Sequence, residues 1–174
     1  MTNQEAITRF YSELFAQGKV ELVDDLLAPD FLWRRHALPL EPAPGREGIK
    51  QFVMALHKAF PDMRFQAETP LCDGDKTVVR WNLRAHHGGS WLNFSPTHHP
   101  IYVTGIHIVR MENGHLCELW QNWGLMSLMQ QLGLLPIIGE QTVFPEWQYP
   151  EPGSIREPLP LYQQHIARLE KESS

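Results

Sequence analysis

The sequence predicts an α+β fold in which a strongly curved antiparallel sheet wraps around a long helix and leaves a cone with an apolar interior. Three observations carry this. Residues 46–60 repeat apolar side chains at helical spacing, through Ile49, Phe52, Val53, Leu56 and Phe60. From Met63 the apolar period falls to two. Residues 101–123 then join two β-branched and aromatic runs at Asn113-Gly114, a strong hairpin signal. Helices first and antiparallel strands after them make an α+β order.

The elements follow in sequence. Thr2 with Glu5 forms a capping-box pattern and opens a helix whose apolar face is Ile7, Phe10, Tyr11, Leu14 and Phe15, ended by Gly18. A short second helix carries Val20, Val23, Leu26 and Leu27 and stops before Pro29. Residues 30–36 are aromatic and short, as in a strand, and the three prolines of 38–45 require a loop. After the long helix, Pro61-Asp62 breaks the chain. Residues 63–72 and 76–87 alternate as strands around Asp73-Gly74, and Gly88-Gly89 ends the second. Residues 91–100 connect to the hairpin. A last short helix, 124–132, is capped by Gly133. The fold is expected to occupy residues 1–135. Residues 136–174 form a proline-rich extension along the domain or a dimer partner, with a weakly apolar helix through Leu161, Ile166 and Leu169.

The hairpin's register decides what faces what. If Asn113-Gly114 alone form the loop, His107 sits opposite Trp120. If Glu112-Asn113 make a type I turn and Gly114 takes a bulge position, His107 lies beside Leu119 and shares a face with Gln121. The bulge is favoured because it gathers Val103, His107, Val109, Cys117, Leu119, Gln121 and Trp123 on one face. That face is apolar with two polar side chains set in it, as in a small-molecule pocket. The other face carries Ile106, Ile108 and Trp120, too apolar for one patch in water, which predicts a homodimer or higher homo-oligomer through the sheet.

Bulk properties narrow the function. Of the 174 residues 43% are hydrophobic and 20% charged, a globular and not a disordered balance. A net charge of −5 argues against nucleic acid or an anionic membrane as partner. Two cysteines make no disulfide framework, and no stretch approaches the ~20 apolar residues of a membrane span. With no apolar leader run at the N-terminus, a reducing cytoplasm is the expected setting. No phosphate loop, nucleophile elbow or dinucleotide fingerprint is present. Adjacent histidines, His86-His87 and His98-His99, point to opposite faces on a strand, so neither pair readily chelates a metal.

Several segments together resemble SnoaL-like polyketide cyclases of the nuclear-transport-factor-2-like superfamily, over roughly residues 5–134. Ala28-Pro29-Asp30-Phe31 after two helices resembles that family's opening. Gly45-Arg46-Glu47-Gly48-Ile49 through Ala59-Phe60-Pro61-Asp62 resembles its long helix. Ala85-His86-His87-Gly88-Gly89 is similar to Gly-Thr-His-x-Gly, and Ser95–Pro100 to Pro-Pro-Thr-Gly-Arg-Pro. Residues 120–133 are similar to Trp-x-x-Trp-Asp followed by Gln-Leu-Gly. The resemblance implies the cone fold, oligomers, no cofactor, and acid–base ring closure of aldol type by a histidine and a carboxylate. The histidine is His107. Gln121 stands at the carboxylate position, Trp33 and Gly105 at amide positions, and Gly124 at a second acidic position, so most of the implied polar ring is replaced.

His107 is therefore the expected proton-transfer residue, since an imidazole with pKa near ~6.5 takes or gives a proton at neutral pH. Gln121 is expected to orient it or to donate to an enolate oxygen. Trp33, Trp81, His87, Val103, Leu119 and Trp123 are the expected substrate-binding walls. The expected reaction is cofactor-independent cyclisation or isomerisation of an apolar oxygenated molecule, without metal. The competing expectation is a non-catalytic small-molecule-binding protein on the same fold.

Overall fold

In the computed structural model, residues 1–35 and 44–135 are described. Most of the expected proline-rich loop and the whole 136–174 extension, with its helix, lie outside the described residues.

The capping box forms as the sequence requires: Glu5 N–H donates to Thr2 Oγ1 at 3.2 Å, and Thr2 N–H to Glu5 Oε2 at 2.7 Å. Helix α1 (Asn3–Arg9) then widens into a π-helical turn, Phe10–Phe15, whose Phe10, Tyr11, Leu14 and Phe15 are buried. Gly18, at φ +71°, ends it. A 3₁₀ turn and α2 (Val23–Leu26) lead into β1 (Leu27–Arg35), which starts three residues before the predicted strand. Helix α3 (Gly45–Ala59) buries Ile49, Phe52, Val53, Leu56 and Ala59. The predicted strand over 63–72 is two strands, β2 (Arg64–Ala67) and β3 (Leu71–Asp73), separated by a segment containing Pro70. Both pair with β4 (Lys76–His86), and their registers differ by one residue. β5 (Pro100–Glu112), β6 (His115–Trp123) and α4 (Leu125–Gln131) complete the fold.

The strands form one sheet in the order β1-β6-β5-β4-β2, with β3 also on β4. All pairs are antiparallel except β1 with β6, which run parallel. The curved, unclosed sheet holds α3 against its inner face, and α3 shares one buried cluster with Val79, Trp81, Leu83, Val103 and Leu119. Burying each large apolar side chain of that face contributes roughly 1.5–3 kcal/mol. Helix α4 is clamped to the start of β5 by Gln131. Its Oε1 accepts from Tyr102 N–H at 2.7 Å and its Nε2 donates to Tyr102 O at 2.9 Å. Among the described residues no helix is long and apolar enough to cross a membrane.

The hairpin combines features of both registers anticipated from the sequence. Asn113 and Gly114, at φ +50° and +78°, make a two-residue turn with Glu112 opposite His115. The bulge comes later: Met111 faces Leu116 but Arg110 faces Glu118, leaving Cys117 as the extra residue. His107 therefore pairs directly with Gln121, not beside Leu119, and Val109 faces Leu119. The shared inner face of His107, Leu119 and Gln121 is as expected. Cys117 is not part of it: Leu116 joins the core, while the Cys117 thiol lies within 4.0 Å of Glu112 Oε2.

Candidate functional site

An apolar cavity of about 350 Å³, mouth included, opens between α3, α4 and the inner face of the sheet. Phe52, Leu56 and Phe60 line it from the helix side, Leu83, Ile101, Val103 and Trp123 from the sheet, and Leu128 from α4. Phe15, Phe65 and Trp81 also contribute to the lining. Among the described residues, Gln121 is the one lining side chain with a hydrogen-bonding amide. As the walls stand, the free space holds little more than a water molecule.

His107 is fully buried and sits one side chain behind this lining. Trp81 packs on its ring at 5.3 Å between centroids and Phe15 at 6.1 Å. Its Nδ1 lies 3.0 Å from the Tyr11 hydroxyl. Burial holds the Tyr11 pKa well above the ordinary phenol value, so the hydroxyl keeps its proton. That proton has no other acceptor among the described residues, so the assignment that leaves fewest buried groups unpaired has the hydroxyl donating to Nδ1. The imidazole proton then resides on Nε2, which has no partner among the described residues. Burial also lowers the His107 pKa to about 3. The ring is neutral at pH 7, a fixed-tautomer N–H donor rather than the group titrating near neutrality that the sequence suggested.

Gln121 does not bond His107 although the two are cross-strand partners. Its Oε1 accepts from Trp33 Nε1 at 3.0 Å. An indole N–H only donates, so the bond fixes which way the amide points and leaves its NH₂ group as the donor. Trp33 does this from β1, half-buried and edge-on to Phe52 at 5.1 Å.

Of the expected wall residues, Trp81, Val103 and Trp123 line the cavity with Gln121; Trp33, Leu119 and His87 do not. Leu119 is core. His87 is buried beside Phe60, and its Nδ1 accepts from Thr97 N–H at 3.2 Å, tethering the 91–100 connection. Burial first, and the neighbouring His98 and His99 next, lower its pKa. His86 faces the other way and meets Asp62 at 2.6 Å. Among the described residues no three His, Cys, Asp or Glu side chains converge as metal ligands. Arg34 pairs with Glu118 at 3.6 Å, on the face away from the cavity.

Sequence reasoning missed Tyr11, reading it as one apolar residue of a helical stripe. The signal was available, because a tyrosine on a buried face needs a partner for its hydroxyl. The π-helical turn that carries Tyr11 is itself a rare element that recurs at functional sites.

Comparison with known proteins places this geometry. The family model for SnoaL-like polyketide cyclases matches residues 5–132. A structure from Acidithiobacillus ferrooxidans, assigned as a polyketide cyclase, is 30% identical, with a TM-score of 0.62 over 75% of this chain and 94% of its own. IdmH from Streptomyces antibioticus, also assigned as a polyketide cyclase, is 27% identical, with a TM-score of 0.64 over 76% of this chain and 99% of its own. A protein from Jannaschia sp. CCS1, assigned as a SnoaL-like polyketide cyclase, shares the fold at 21% identity, with a TM-score of 0.67 over 77% and 93%. Among curated proteins none matches the chain.

Proposed function

The chain belongs to the SnoaL-like polyketide cyclase family, and from that premise we propose that it is a cofactor-independent enzyme that cyclises or isomerises an apolar, oxygenated small molecule by proton transfer next to a carbonyl. The observation that carries the reading is the buried Tyr11–His107 pair, which leaves a neutral Nε2–H without a partner among the described residues, directly behind the cavity wall. Such a donor strengthens its hydrogen bond as a carbonyl oxygen gains charge, and an apolar surrounding makes that bond worth more than it is in water. Gln121, turned by Trp33, supplies a second N–H from the lining. Together they acidify the C–H beside the carbonyl and hold the enolate for ring closure or double-bond migration.

The described lining has no carboxylate. The C–H proton then passes to water at the mouth or to another oxygen of the substrate. This suits compounds with a carbon between two carbonyls, which enolise without a strong base. The absence of a carboxylate from the described lining is also what favours the second reading, a binding protein that holds such compounds without turnover.

Aryl-substituted 1,3-diketones separate the two readings. In D₂O an enzyme speeds deuterium incorporation between the carbonyls above the buffer rate. A binding protein raises its melting temperature with these compounds but leaves exchange at the buffer rate.

The outer face of the sheet exposes Ile106 (49%) and Ile108 (39%) side by side on β5. A homodimer through this face would bury them. Both cysteines are unpaired, as suits a reducing cytoplasm.

A further inference from the structure

We infer that the indole N–H of Trp81 is a further donor of this site, and that one carbonyl or enolate oxygen of the ligand is held jointly by Trp81 Nε1 and His107 Nε2. This rests on the reading of the cavity as a substrate site, and it adds a residue that neither the family pattern nor the hairpin pointed to.

Both nitrogens are buried and neither has a partner among the described residues. Their rings are neighbours, with centroids 5.3 Å apart and planes at 53°. The orientation of the indole follows from Gly105, which pairs with Trp81 across the β4–β5 ladder. A Cβ at Gly105 would lie 2.6 Å from Trp81 Cε2, the atom bonded to Nε1, and closer still to Cζ2. The nitrogen-bearing side of the indole is therefore laid across β5 at residue 105. His107 is the next residue on the same face of that strand. Phe65, stacked on the indole at 5.3 Å and 27°, helps to hold it there.

The chemistry selects the occupant. In the tautomer set by Tyr11, His107 Nε2 carries a proton, and Trp81 Nε1 always does, so the two cannot satisfy each other. Only an acceptor satisfies both. A carbonyl or enolate oxygen has two lone pairs to do so, whereas an ammonium group would meet two N–H donors and be rejected. Trp81 and Gln121 both line the cavity, so the oxygen enters between them. Because the free space holds little more than a water molecule and His107 lies behind the lining, binding requires the lining side chains to part, with the apolar remainder then lying against Phe52 and Val103.

The test uses the full ¹⁵N-labelled chain and 1-phenylbutane-1,3-dione. The six tryptophans contribute one indole N–H signal each, and Trp81 is identified by its loss in Trp81→Phe. Should that variant not fold, its contact with the Gly105 Hα protons identifies it in the parent. Titration with the diketone is expected to move the Trp81 signal downfield more than any other indole signal. In Trp81→Phe affinity should fall about tenfold, as for one lost neutral donor, and α-proton exchange about 10²-fold. A Trp81 signal that stays in place up to the solubility limit of the diketone overturns the inference. If the signal moves but the parent catalyses no exchange, the donor pair stands as a binding site and the enzymatic reading falls. If Trp81→Phe exchanges at the parent rate, Trp81 is no donor and the enzymatic reading stands.

Discussion

Gly105→Ala perturbs the site without touching a polar group, and its magnitude can be worked from the geometry. The new methyl would sit 2.6 Å from Trp81 Cε2 and 2.7 Å from the backbone carbonyl of Asn122. Neither neighbour has room to yield: Asn122 is part of β6, and the indole is held by Phe65. Overpacking of this kind costs about 3 kcal/mol, at the upper end of the usual range because one clash is with backbone. The φ at Gly105 is not in the left-handed region, so alanine brings no conformational penalty. It restricts the unfolded chain, which returns roughly 0.4–1 kcal/mol. Sterics win, and the net loss is about 2 kcal/mol. For a chain of this length that lowers Tm by roughly 4–8 °C. Adding Trp81→Leu removes the clash, so the double variant should lose at least ~1 kcal/mol less than the sum of the singles. Chemical denaturation of the four proteins reads all of this. A Gly105→Ala protein within ~0.5 kcal/mol of the parent, with additive singles, would refute the placement of the indole on β5.

Further outcomes follow from the same contacts. Because burial depresses the His107 pKa to about 3, the unfolded state binds the extra proton. Stability is then complete above pH ~6.5 and falls on acidification, at up to ~1.4 kcal/mol per pH unit until the folded pKa is reached. Urea unfolding at several pH values should show this slope reduced in His107→Gln; an unchanged slope would count against a buried neutral imidazole. Tyr11→Phe leaves Nδ1 buried and unpartnered, which should cost about 1–3 kcal/mol and release the fixed tautomer, visible in the imidazole ¹⁵N shifts. Gln121→Asp places a carboxylate across from His107 and should raise its pKa and move the pH optimum upward; an unmoved pH profile would separate the two side chains functionally. Ile106→Glu with Ile108→Lys should convert the proposed dimer to monomer in sedimentation at micromolar concentration, and a monomeric parent would remove that interface.

Much of the frame was legible because local chemistry and burial agree. The capping box, the α3 stripe and the Asn113-Gly114 turn each rest on a few neighbouring residues, and each forms. The position of the bulge, at Cys117 and not at Gly114, was not legible. Leu116 and Cys117 are both apolar, so alternation does not mark which one turns inward. The observed pairing buries Leu116 in the core and brings Arg110 within 3.5 Å of Glu118 across the strands. The parallel seating of β1 on β6 depends on a long return of the chain, which period-two patterning does not encode. In the site, His107 and Gln121 were found because polar residues stand out on an apolar face. Their pairings were not, since Tyr11 and Trp33 come from elements distant in sequence: Trp33 was expected as a wall and at an amide position, not as the donor that turns Gln121, and Tyr11 only as part of an apolar face. The pKa inversion of His107 has the same origin: its burial is a sum over Phe15, Trp81 and Tyr11, none of them adjacent to it in the chain.

The central claim is that His107 acts on the carbonyl of a bound substrate. The most direct measurement is the rate of α-deuterium incorporation into a bound aryl 1,3-diketone by the parent and by His107→Ala, with affinity measured alongside. The account predicts a fall in exchange of roughly 10²-fold or more, with affinity far less affected because the apolar walls remain. Exchange by His107→Ala at the parent rate would contradict it.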